Sequence, residues 1–225
     1  MSGLHSHIVF KTVAQIKDGF VLLVIIRHCK KIIVNFSHKA RGEKMHFQKI
    51  LETTPLVKNP KSIIQRHAVK AIIIHENKIL LIQTNKGDFK FPGGGVEENE
   101  NHIEALLREV REETGYINFI VKDFFGIVIE RKIDKFKSDH LFQMNSYYYI
   151  CALKNKETVH QELDAYETLQ EFKPKWVNLE DAIKQNETLF TYPGMNNWLK
   201  RETLVLNEVK ELAIKRNKMT IKRNK

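Results

Sequence analysis

Three glutamates, Glu109, Glu112 and Glu113, fall at spacings that gather on one side of a helix turning about 100° per residue. Glu109 and Glu113 sit one turn apart, and on an exposed helix such a like-charged pair costs roughly 0.2–0.5 kcal/mol. A bound cation would turn that repulsion into coordination. No cysteine or histidine is interleaved with them, and all-oxygen donors favour Mg²⁺, with Mn²⁺ as the alternative, over zinc. Mg²⁺ held by few carboxylates completes its shell with water and phosphate oxygens, so these residues point to chemistry at phosphate. Taken singly, a glutamate-rich helix is more often a solvated face; the neighbouring residues decide between the two.

The helix that must carry them has legible ends. Asn101 can cap it, Glu104 stands three residues later as in a capping box, and Gly115 suits a left-handed stop. Ile103, Leu106, Leu107 and Val110 form an apolar side, expected to face the core opposite the acid. Before the helix runs a glycine loop, Gly93, Gly94 and Gly95, entered from Phe91 and Pro92. Its glycines can offer free amides to a phosphate, or let the chain turn tightly from strand to helix; both readings stand. Arg108, beside the acid face, can orient Glu109 by a charge-assisted hydrogen bond, and Glu100 can orient or complete a metal shell. A surface ion pair is the plainer role for either.

From Gly94, five residues lead to Glu100, seven more to Arg108, and Arg108-Glu-Val-Arg-Glu-Glu-Thr-Gly115-Tyr116 follows without a break. This resembles the Nudix box: glycine, glutamate, Arg-Glu, an aliphatic residue, Glu-Glu, glycine and a final bulky aliphatic, each at this spacing. Tyr116 departs from it, being aromatic, which bears on packing at the helix exit rather than on the carboxylates. The resemblance covers about residues 66–183.

It implies an α/β (α+β) fold, an α/β/α sandwich with a mixed sheet and a catalytic loop-helix. It also implies a divalent-metal-dependent hydrolase that cleaves the diphosphate of a nucleoside diphosphate linked to another group, by water attack on phosphorus. Glu109, Glu112 and Glu113 are then metal ligands, joined by Glu100, with Glu109, Arg108, Glu112 and Glu113 in the catalytic set. Gly93, Gly94, Gly95 and Phe91 are candidates for substrate contact. In the family the general base can come from outside the box, and Glu162, Asp164, Glu167 and Glu171 are the acidic candidates here. ADP-ribose members often carry a proline beyond the box; none lies between Pro92 and Pro174, which lowers that reading. A nucleotide- or RNA-binding sensor without turnover is the rival function, against which the intact box glutamates argue.

Aromatic residues that could hold a base are Phe89, Phe91, Phe142, Tyr147, Tyr148 and Tyr149, most of them expected in the core. His67, His75, His102, His140 and His160 form no ligand spacing. The net charge of +10 is concentrated at the ends: residues 1–44 carry eight Lys/Arg against two Asp/Glu, and residues 210–225 carry seven against one. The middle is therefore slightly acidic, and nucleic acid is an unfavoured partner. A small nucleotide is the expected one, with a homodimer left open.

Cys29 and Cys151 form no metal spacing and a lone pair is weak ground for a disulfide, which suits the cytoplasm. The longest apolar run, residues 20–26, is short of the ~20 residues of a membrane helix. Residues 45–209 are expected to form the catalytic domain and 210–225 a basic tail. Residues 1–44 read as an extension of doubtful status, with translation expected to begin at Met45; the rival is a strand-rich extension pairing 20–26 with 31–36.

Strands are expected over 68–74 and 79–83 as a hairpin, at 89–91, within 117–129, over 141–153 and over 171–177. A helix should start at Leu179, and Met195, Trp198, Leu199, Val205, Leu206, Val209 and Leu212 recur at the period of a long final helix.

Overall fold

The computed structural model describes the backbone of residues 14–16, 19–21, 45–52 and 59–223, and the side chains of residues 45–52 and 59–215. The chain divides into two compact units, Met1–Glu43 and Lys44–Lys225. In the first, β1 (Ala14–Ile16) pairs antiparallel with β2 (Gly19–Val21). Of the strands expected at 20–26 and 31–36, all but residues 20 and 21 lie outside the described residues.

The second unit holds a mixed seven-stranded sheet. Its strands are β3 (Phe47–Glu52), β4 (Ile63–His75), β5 (Lys78–Gln83), β6 (Phe89–Lys90), β7 (Phe119–Ile133), β8 (Leu141–Leu153) and β9 (Lys173–Val177). They run in the order β3-β7-β8-β4-β5-β6, with β9 on the free side of β5. β4 lies parallel to β8 and β3 parallel to β7, while β7 and β8, β4 and β5, and β5 and β9 are antiparallel. The expected hairpin forms: β4 turns into β5 through Glu76 and Asn77, both with positive φ, as a two-residue turn matched to strand twist requires.

Alternation along β4 sorts two cores. Val69, Ala71 and Ile73 pack with Ala105, Leu106 and Val110 of α1 (His102–Thr114). Ile72 on the opposite face joins Leu81, Phe91 and Tyr148 against Ala182 and Ile183 of α3 (Leu179–Thr188) and Val205, Leu206 and Val209 of α4 (Leu199–Arg223). Helices therefore cover both faces of the sheet, the α/β/α sandwich expected. A five-residue helix, α2 (Ala165–Leu169), precedes β9.

Three local expectations are corrected. Ile103 and Leu107 are each 40 % exposed, whereas Glu109 and Glu113 are buried, because the helix's inner arc centres on Leu106, Val110 and Glu113 rather than on the apolar stripe. The strand expected from Glu171 begins at Lys173, since Glu171 has a left-handed φ of 51° that ends the preceding turn. Met195 and Trp198 precede the last helix instead of lying on it, in two successive turns, the first containing Gly194. β3, a full edge strand, carries no alternation that the sequence reading recognised. Cys151 is buried, and burial pushes its thiol up to about 12. No helix among the described residues is long and apolar enough to cross a membrane.

Candidate active site

The glycine loop is laid along β4 like a short extra strand. The N–H groups of Val69 and Ala71 donate to Gly94 and Pro92, each at 2.9 Å, and Val96 N–H donates to the His67 carbonyl at 3.0 Å. Gly93 has a φ of 127° and its missing β-carbon would strike the Val69 carbonyl. At Gly94 a β-carbon would overlap the Glu109 carboxylate. Of the two roles left open for the glycines, close packing of the loop on strand and helix is the one that Gly93 and Gly94 serve. The Gly93 N–H is spent on Glu113 Oε2 at 2.8 Å, and Lys70 Nζ donates to the Gly93 carbonyl.

α1 forms as its ends require: Asn101 accepts from the N–H groups of Ile103 and Glu104, Glu104 reciprocates, and Gly115 closes the helix with φ 77°. Along it, Arg108 organises four groups. Its Nε and Nη2 grip both oxygens of Glu100 at 3.1 and 2.6 Å, and Nη2 also reaches the Gly95 carbonyl at 3.0 Å. Nη1 donates to Glu109 at 2.8 Å and to Glu112 at 3.1 Å. The bidentate contact holds the Glu100 carboxyl below its usual range.

Three carboxylates converge beyond this arginine. Glu109, Glu113 and Glu167 each offer an oxygen within 4.8 Å of the others. Burial, then the Glu113 charge, raise Glu109 above the ordinary carboxylate range, with Arg108 opposing. Burial and the same Glu113 push Glu167 up to about 7. Such crowding of hard oxygen donors fits a divalent cation of the Mg²⁺ class. Part of the compensating charge is built in: Lys90 Nζ pairs with Glu113 Oε1 at 2.5 Å, both side chains being buried.

The sequence reading placed Glu112 and Glu100 among the ligands. The structure instead leaves both outside the convergent trio, held by Arg108. Of the four outside candidates, only Glu167 reaches it. Glu162 pairs with Arg111, Glu171 with Lys173, and Asp164 caps α2. Asp164 and Glu167 form a reciprocal capping box, a D-x-x-E signal present in the sequence and not used there. The segment leading into α2 is tied across the end of α1, where Val159 N–H donates to Gly115 O, Glu162 N–H to Glu112 O and the Gln161 amide to Glu113 O.

Phe91 corrects another expectation. It is wholly buried in edge-to-face contact with Tyr148, so its ring packs the core and offers no surface to a substrate. Its N–H donates at 2.9 Å to Glu202, a fully buried residue in the first turn of α4 that sequence reasoning missed. Burial alone would raise Glu202, but Arg201, Lys70 and the Phe91 N–H outweigh it and hold the carboxyl below its usual range. Arg201 in turn pairs with Glu130 of β7. A separate cavity of about 290 Å³ lies past the end of α1, lined by Tyr116, Thr158, His160, Gln161 and Trp176 among others, and none of the three carboxylates borders it. There Trp176 Nε1 donates to the Tyr116 hydroxyl at 2.8 Å, which gives the aromatic end of the box its packing role.

Residues 65–199 match the family model described as NUDIX domain. An ADP-ribose pyrophosphatase of Methanocaldococcus jannaschii is 41 % identical over 88 residues, 37 % of this chain and 52 % of that protein. An 8-oxo-dGDP phosphatase of Danio rerio is 35 % identical over 86 residues, 36 % of this chain and 26 % of that protein. The matches thus span about half or less of these relatives. Among solved structures, a NUDIX hydrolase from Nitrosomonas europaea aligns over 67 % of this chain and 90 % of its own at 19 % identity, with a TM-score of 0.43. With its box helix, its glycine loop and more than half its length inside the family model, the chain belongs to the NUDIX domain family.

Proposed function

We propose that the protein is a pyrophosphohydrolase, acting on a nucleoside diphosphate linked to a second group with Mg²⁺, or Mn²⁺ in its place, in the cytoplasm. The observation that carries this reading is the meeting of Glu109 and Glu113 from the box helix with Glu167 from α2. Glu109 and Glu113 would hold the metal, which when bound neutralises phosphate charge and lowers the pKa of water, with Glu167 beside it. Glu112 and Glu100 serve by keeping Arg108 in place, and Arg108 aims Glu109.

The chain's own residues have three tasks. Lys70, Lys90 and Arg108 surround the carboxylates with fixed positive charge, and the Gly93 amide fixes one oxygen of Glu113. Glu167 accepts the proton of the attacking water. Its Oε2 is engaged by the Asp164 N–H, which leaves Oε1 for that transfer. As the new oxygen–phosphorus bond forms, the anhydride bond breaks and its electrons leave with the departing phosphate. The names of the two relatives, an ADP-ribose pyrophosphatase and an 8-oxo-dGDP phosphatase, support nucleoside diphosphates as the class.

The test is nucleotide or phosphate release from nucleoside triphosphates, ADP-ribose, nucleotide sugars and dinucleoside polyphosphates, with Mg²⁺ and with Mn²⁺. Metal-dependent release that disappears in Glu113→Gln supports the reading. Equal release by variant and parent, or silence across the panel from folded protein, favours a binding module instead.

A further inference from the structure

We propose that Tyr166 and Trp198 form the subsite for the planar ring of the substrate, a nucleobase, beside the carboxylates whose cation would take its diphosphate. The inference rests on the hydrolase reading for the identity of the ligand, and the aromatic geometry stands independently of it.

Position is the first argument. Tyr166 immediately precedes Glu167 on α2, so the element that delivers a carboxylate to the trio also delivers this ring. Lys90 joins the two regions from the other side: its Nζ pairs with Glu113 and lies 4.2 Å from the Phe172 ring centre and 6.0 Å from that of Trp198. The aromatic group therefore begins where the carboxylates end. A nucleoside diphosphate has the same layout, with anionic oxygens at one end and a flat ring at the other.

The second argument is how the rings are held. Trp198 stands perpendicular to Tyr166, with centres 6.3 Å apart at 89°, and to Phe172, with centres 6.4 Å apart at 88°. Its Nε1 donates at 2.8 Å to Asp88, a buried residue that also receives the Asn196 amide, so the indole is anchored and pre-oriented. Phe172 is buried behind it, whereas Tyr166 is 50 % exposed. A fixed indole next to a half-exposed phenol, both bordering a polar site, gives a ready stacking platform.

Several other aromatic residues are engaged elsewhere. Phe89, Phe91 and Tyr148 are buried, Tyr147 stacks on His67, and Tyr116 and Trp176 bond to one another at the separate cavity. Because stacking reads a ring face and not its edge, this subsite favours any nucleobase over a ring-free phosphate and discriminates weakly between bases.

The experiment compares equilibrium binding of AMP and of ribose 5-phosphate to the full chain, without turnover, in parent, Tyr166→Ala and Tyr166→Phe. The expected result is an AMP preference of about 10-fold in the parent, lost in Tyr166→Ala with ribose 5-phosphate affinity unchanged, and retained in Tyr166→Phe. No preference in the parent, or the same preference in Tyr166→Ala, overturns the subsite. A parent that prefers AMP through Tyr166 yet hydrolyses nothing in the panel keeps the subsite and removes the hydrolase reading. A parent that hydrolyses the panel while Tyr166→Ala leaves KM for ring-bearing substrates unchanged does the reverse.

Discussion

Gly94 lies so close to Glu109 that any side chain at position 94 would overlap the carboxylate. The glycine is thus part of how Glu109 is aimed, through space rather than by a hydrogen bond. Gly94→Ala should lower kcat/KM by about 100-fold, the usual consequence of displacing a reacting group by about 1 Å. Its thermal midpoint should fall much less than its activity. A variant with parental activity would show that Glu109 tolerates displacement.

Arg108 spends its donors on Glu100, Gly95, Glu109 and Glu112, a fan only a guanidinium can serve. Arg108→Lys keeps the charge and loses the fork, so activity should fall roughly 10–100-fold, as for other groups that orient ligands. Glu100→Gln weakens one grip and should cost less. Steady-state kinetics at saturating metal checks the order of the two.

Glu167 and Glu162 test which outside acid matters. Glu167→Gln should reduce kcat by about 10²–10⁴-fold, the contribution expected of a general base, while Glu162→Gln, which only frees Arg111 at the surface, should stay near parental activity. Reversed effects would move the base to the strap before α2.

Glu202 makes a prediction about stability and pH. Removing one partner of a buried ionic network costs about 3–5 kcal/mol, so Glu202→Gln should be clearly destabilised near neutrality by denaturant unfolding. Its folded pKa lies below the unfolded one, so its contribution is complete above the ordinary glutamate value, about 4.3, and is lost as pH falls through the lower folded value. The parent should therefore lose stability more steeply than the variant on the acid side of that value. Parallel curves would mean that Glu202 is not charged in the fold.

The sequence made the box helix legible because its caps, its carboxylate spacing and its stop glycine are local signals, and the hairpin and β8 because alternation is local too. What it could not show was set by packing. Burial of Glu109 and Glu113 depends on where the helix meets β4, which no periodicity within the helix encodes. Glu167 was one of four equivalent acids until the strap across α1 singled it out. Phe91 was a candidate for substrate contact and Trp198 a packing residue of the last helix, and only tertiary packing sent the first wholly inside and left the second half-buried near Lys90.

The hydrogen bond from Phe91 N–H to Glu202 spans 111 residues of chain. During synthesis the strand, the glycine loop and the whole box helix leave the ribosome long before α4 exists. Until that last helix arrives, the buried amide that enters the loop has no partner, so the loop cannot settle at its final energy. The residues of the box are thus finished early and made usable late, and a nascent chain stopped before position 202 should carry every carboxylate of the site without the rigidity to use them.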